Sequence, residues 1–134
     1  MTDEEITAKI KTLEYEKEEG NPDFAVFWEK HFYLKGKITG IKIADEIACF
    51  VLENKRYSKT EGGIEIYYTV GVFREGKVSV KRLPIALHRT DRSQDRYQFI
   101  FCGIDRFEIK GATATVWDTQ GHSTNVWLDM PTEL

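Results

Sequence analysis

Hydrophobic residues recur at strand-like spacing from about Tyr33 to Leu128, in one short segment after another. An opening stretch in which they recur at helical spacing precedes them. The strand-like segments lie near 34–43, 46–54, 64–74, 77–88, 97–104, 107–118 and 123–129. Several alternate cleanly. Ile66, Tyr68, Val70 and Val72 share a face opposite Glu65, Tyr67, Thr69 and Gly71, and Ala112, Ala114 and Val116 oppose Thr113, Thr115 and Trp117. Residues 47–52 and 97–104 are nearly apolar on both faces, which predicts interior strands covered from both sides. Glu75-Gly76 predicts a tight hairpin turn, and Asp105-Arg106 and Gln120-Gly121 are further turn signals. Pro84 removes a ladder donor, so its strand belongs at a sheet edge or is broken there. Residues 54–63 are polar and end in Glu61-Gly62-Gly63, predicting a mobile loop.

The helical section reads as two helices. Thr2 and Glu5 have the spacing of a capping box, and Ile6, Ile10 and Leu13 then share one face. Gly20 and Asn21 predict the end of this helix. Asn21 and Pro22 predict the start of a second, as N-cap and first helical residue. Phe24, Phe27, Trp28, His31 and Phe32 form an aromatic stripe at helical spacing, the pattern of a helix laid on a sheet. The fold class is therefore α+β, mainly β. One domain, 1–134, is expected, with two short N-terminal helices (1–33) packed on a curved antiparallel sheet or small β-barrel of about seven strands (34–129). A two-sheet sandwich is the third arrangement, but the aromatic helix needs a surface to bury itself against, which favours the first two.

Composition narrows the class. The chain has 134 residues, 41% of them hydrophobic, enough for one ordinary core. The longest wholly apolar run is 47–52, far short of the roughly 20 residues of a membrane-spanning helix. The acidic opening Met1-Thr2-Asp3-Glu4-Glu5 lacks the basic and apolar regions of a signal peptide, so a soluble cytoplasmic protein without a membrane role is expected. Cys49 and Cys102 sit in apolar runs with no CxxC pairing, the pattern of small core residues in a reducing compartment. The net charge of −3 is unevenly spread. Residues 1–19 hold seven acids and three lysines, whereas residues 74–96 hold seven basic residues and three acids. The two segments could attract one another, or one could face a partner.

Catalytic vocabulary is sparse. No phosphate-binding glycine loop, nucleophile elbow or HExxH motif occurs. His31, His88 and His122 have no histidine or cysteine at ligand spacing, so no metal, cofactor or catalytic residue is assigned. One segment concentrates chemistry. Residues 88–96 carry His88, Arg89, Asp91, Arg92 and Arg96, candidates for ligand or anion contact because arginine forks grip carboxylate and phosphate at two points. The plain reading is a solvated loop with local Arg–Asp pairs. The polar hairpin 118–125, flanked by Trp117 and Trp127, is a second candidate: a ligand mouth, or ordinary packing at a sheet end.

Three functional readings follow. The first is a non-enzymatic binding protein. It holds a small ligand in a cavity lined by Trp28, Phe32, Tyr68 and Phe99, or contacts a protein partner, with a homodimer formed through exposed edges as one form of that contact. The second is a binder of single-stranded nucleic acid through the basic 74–96 stretch. The sequence pI of about 5.7 disfavours it. The third is a small enzyme with a pocket acid–base pair such as His88 and Asp91, for which the sequence offers no substrate.

Overall fold

The computed structural model describes residues 1–14, 34–58, 63–83, 86–89, 96–97 and 101–134, with backbone alone at 55–58, 63–65, 86–89 and 96–97. Helix α1 (Asp3–Lys11) opens with the expected capping box: Glu5 N–H donates to Thr2 Oγ1 at 3.2 Å, and Thr2 N–H donates to Glu5 Oε1 at 3.4 Å. Ile6 and Ile10 are buried on one face, followed by Leu13. The helix ends well before Gly20. The Thr12 hydroxyl donates back to the Lys9 carbonyl, Gly36 N–H donates to the Leu13 carbonyl, and Glu14 forms a parallel bridge with Gly36. These bonds draw the chain into the sheet instead of another turn. One helix is thus described, and the second, expected over 22–32, lies outside the described residues.

Among the described residues ten strands follow, in two antiparallel sheets. The large sheet runs β1 (Lys37–Ala44), β2 (Ile47–Ser58), β3 (Gly63–Arg74), β4 (Lys77–Arg82) and β10 (Thr132–Glu133). Strands β5 (Ala86–Arg89) and β6 (Arg96–Tyr97) extend it. β5 pairs with the first residues of β3, while β4 pairs with the last. β4 ends at Arg82 and β5 begins at Ala86, and Pro84, where an edge or a break was expected, lies outside the described residues. The small sheet is the meander β7 (Arg106–Lys110), β8 (Thr113–Trp117) and β9 (Ser123–Trp127). Among the described residues the large sheet ends at β1 and β10 and does not close into a barrel.

The two faces of the large sheet bury different partners. Cys49, Val51, Tyr68, Val70 and Val72 face the small sheet, where they meet Ala114, Val116, Val126 and Leu128. Ala48, Phe50, Leu52, Phe73 and Val78 face the other way and meet Ile6, Ile10 and Leu13. This explains why 47–52 is apolar throughout: β2 is covered by a helix on one side and a sheet on the other. The order of layers is helix, large sheet, small sheet. The stacked pair of sheets corresponds to the sandwich arrangement that the aromatic stripe had weighed against.

Three boundaries differ from the pattern reading. Residues 107–118 are a hairpin, not one strand, because Gly111 takes φ +58° and turns the chain. The inward positions change phase across the turn, from Phe107 and Ile109 to Ala114 and Val116. Residues 101–105 are an irregular crossing between sheets: Gly103 takes φ +73°, and Phe101 is apolar because it is buried in the core between them. Strand pairing continues through the polar residues 54–58, with Ser58 opposite Gly63, and residues 59–62 of the expected loop lie outside the described residues. The Glu75-Gly76 turn is as expected, with φ +55° and +77°.

Gly71 shows how tightly the helix-side face is packed. A Cβ there would stand 2.3 Å from Phe50 Cζ, because the Phe50 ring lies flat across the backbone of its cross-strand partner. Gly71→Ala should cost about 1–3 kcal/mol in denaturant unfolding, as overpacked cores do. The double variant Gly71→Ala with Phe50→Leu should cost less than the sum of the two single changes, since the ring is what the new methyl meets.

Candidate functional site

The described part of the structure separates three chemically distinct places. The first is the turn between β8 and β9. Asp118 leaves β8 with its side chain wholly buried. Its Oδ2 accepts from Cys102 N–H at 3.0 Å, and its Oδ1 accepts from Gln120 N–H at 2.9 Å and His122 N–H at 2.7 Å. His122 Nδ1 lies 3.0 Å from Oδ2, as a donor to the carboxylate. Burial by itself pushes the Asp118 carboxyl pKa up. The bonds from Cys102, the His122 ring, His122 N–H and Gln120 N–H outweigh that and hold it below the usual carboxylate range. Thr119 N–H also donates to the Cys102 carbonyl at 3.1 Å. The turn thereby grips the 101–105 crossing. This His–Asp pair was not the one suspected from the sequence, although the D-x-x-x-H spacing across Gly121 was its visible trace.

The second place is the outer face of the small sheet. Register sets three rows across it: Arg106, Trp117, Ser123; then Glu108, Thr115, Asn125; then Lys110, Thr113, Trp127. Arg106 stacks on the Trp117 ring, its Cζ 3.8 Å from the centroid, and its Nη1 lies 3.5 Å from Glu108 Oε1. Thr115 Oγ1 donates to Asn125 Oδ1 at 2.9 Å. Trp127 is 63% exposed and Met130, just beyond β9, is 85% exposed. Trp117 is thus covered, while Trp127 is not.

The third place lies on the helix-side face of the large sheet. Two rows there follow the apolar rows under α1: Leu52, Thr69 and Arg82, then Asn54 and Tyr67. Asn54 (2% exposed), Tyr67 (1%) and Thr69 (0%) are buried. Arg82 extends over the Tyr67 ring, 5.1 Å from its centroid. The alternation placed Tyr67 and Thr69 on one face. It did not show that this face is buried.

The residues singled out from the sequence distribute as follows. His88 and Arg89 lie on β5, opposite Ile64 and Gly63 of β3, and Arg96 lies on β6, opposite Leu87. Asp91 and Arg92 lie outside the described residues, as do Trp28, Phe32 and Phe99. Tyr68 is buried in the core between the sheets beside Val70, Leu83 and Phe101. Both cysteines are free thiols, and burial pushes Cys49 up to about 12, far from a reactive thiolate. Among the described residues no group of three or more His, Cys, Asp or Glu is placed to hold a metal ion, and no helix is long and apolar enough to cross a membrane.

No protein-family model matches the chain, and no curated protein or solved structure is significantly similar to it.

The Asp118 cage sets a pH dependence. A carboxyl held below its ordinary value of about 3.9 stabilises the fold fully above that value and loses its contribution as pH falls through the folded-state pKa. Asp118→Ala should lower stability by about 2–4 kcal/mol at neutral pH, because three backbone N–H donors lose their buried, charged acceptor. The gap between wild type and Asp118→Asn, followed by unfolding at several pH values, should stay constant above about pH 5 and shrink on further acidification.

Proposed function

We propose that this chain is a non-enzymatic binding protein that meets a protein partner through the outer face of its small sheet. The observation that carries this reading is Trp127, a large apolar ring 63% exposed on a strand whose inward residue Val126 is fully buried. Indole rings are enriched at the centres of protein contacts, since they combine large apolar area with few rotamers and one N–H donor. Met130 adds a second exposed and adaptable apolar side chain. The neighbouring rows carry hydroxyls, an amide and a stacked guanidinium already held in place. Such groups satisfy a polar rim at little ordering cost. The partner is a second copy or another protein. The same rows suit either.

Native mass spectrometry of gently purified protein tests this. The expected result is a mass above the bare chain, from a second copy or a bound protein, which Trp127→Ser removes. Loss of a central tryptophan should weaken the contact by at least about 30-fold, equivalent to about 2 kcal/mol. A bare chain in both proteins, at every concentration tried, would remove the reading.

A further inference from the structure

We infer that two copies of this chain join edge to edge through β7, so that their three-stranded small sheets become one continuous sheet. This contact lies at the opposite end of the small sheet from Trp127 and does not depend on the surface proposed above. β7 ends the order β7-β8-β9, and among the described residues no strand pairs with its outer side. Other strands at sheet ends are blunted. β1 carries a bulge between Ile38 and Gly40 and two lysines, Lys37 and Lys42, and β10 is two residues long. β9, at the far end of the small sheet, runs close to β4. β7 has five regularly paired residues with no proline and no bulge. Such an edge is a template for another strand.

Burial and charge say which strand fits. On the inward face of the small sheet Ala114, Val116 and Val126 are wholly buried, whereas Phe107 and Ile109 of β7 pack against the same core and stay half-buried. A strand laid beside β7 removes more of their apolar surface from water. On the outward face Arg106, Glu108 and Lys110 alternate in sign. Antiparallel pairing of β7 with its own copy about Ile109 sets each Glu108 opposite a Lys110, twice by symmetry, and Ile109 opposite Ile109 on the inward face. Pairing about Glu108 would oppose like charges at every outward position. Pairing about Phe107 would call on Arg106, which already stacks on Trp117 and meets Glu108 of its own strand. The Lys110 ammonium has no ion pair or hydrogen bond among the described residues, and Glu108 meets Arg106 through Oε1 alone. The register about Ile109 is therefore the one that joins groups still open to a partner.

Sedimentation equilibrium of the full chain tests the pairing, in a Trp127→Ser background so that the outer-face contact contributes nothing. One short strand per copy buries less than a standard interface, so the monomer–dimer equilibrium should fall between about 0.01 and 1 mM, above the dilute range of native mass spectrometry. Glu108→Lys and Lys110→Glu should each weaken the dimer at least about tenfold, since each sets two pairs of like charges face to face. The variant carrying both changes restores opposite charges and should dimerise as the parent does. A mixture of the two single variants should sediment as dimer where neither does alone, because each supplies the charge that the other lacks. Both positions are exposed, and melting in dilute solution checks that every variant folds. The proposal is overturned if the parent stays monomeric at about 1 mM. It is also overturned if Lys110→Glu dimerises as tightly as the parent, or if the double variant or the mixture fails to recover the dimer.

Discussion

Asp118 is a carboxylate with no exposed surface, and the bonds that keep it charged also join two parts of the chain distant in sequence. Two backbone N–H groups of its own turn and one from Cys102 point at its oxygens. The 101–105 crossing is therefore fixed against the small sheet, and with it the way the chain passes from one sheet to the other. On the far side the same crossing touches β1. A Cβ on Gly40 would stand 2.6 Å from Gly103 Cα, and Lys42 Nζ donates to the Asp105 carbonyl at 2.7 Å. Gly40 also sits at the bulge in the β1–β2 ladder. Backbone can approach backbone this closely because Gly40 has no side chain, whereas a Cβ on Gly103 would meet only Thr119 Cγ2, at 3.5 Å.

From that junction the layering follows. Once the crossing is held beside β1, the meander β7–β9 lies over the face of the large sheet that carries Cys49, Val51, Val70 and Val72. The opposite face is left for α1, which brings Ile6, Ile10 and Leu13 to it. Each apolar face of the long β2–β3 hairpin is thereby removed from water by a different element, the condition under which strands lose their polar alternation. The outer face of the meander stays in solvent, and its polar rows with one uncovered tryptophan are what this arrangement exposes.

The chemistry is divided in the same way. The Asp118–His122 pair holds the fold together, and its carboxylate is enclosed by backbone donors rather than opened to a substrate. The groups free of that structural task are Trp127 on the outside and the Thr69 hydroxyl within.

The amino-acid sequence by itself determined the capping box and first turns of α1, the face shared by Tyr68, Val70 and Val72, and the Glu75-Gly76 turn. All of these rest on local periodicity, capping or the special backbone freedom of glycine, which act within a few residues. It did not reveal that 107–118 folds back on itself, that 101–105 crosses between sheets, or that two sheets stack rather than one closing on itself. Those outcomes depend on pairs such as Gly40 with Gly103 and Cys102 with Asp118, whose separation along the chain carries no pattern. Burial of Thr69 and exposure of Trp127 were hidden for the same reason. Alternation says which residues share a face, and only tertiary packing decides which face is covered.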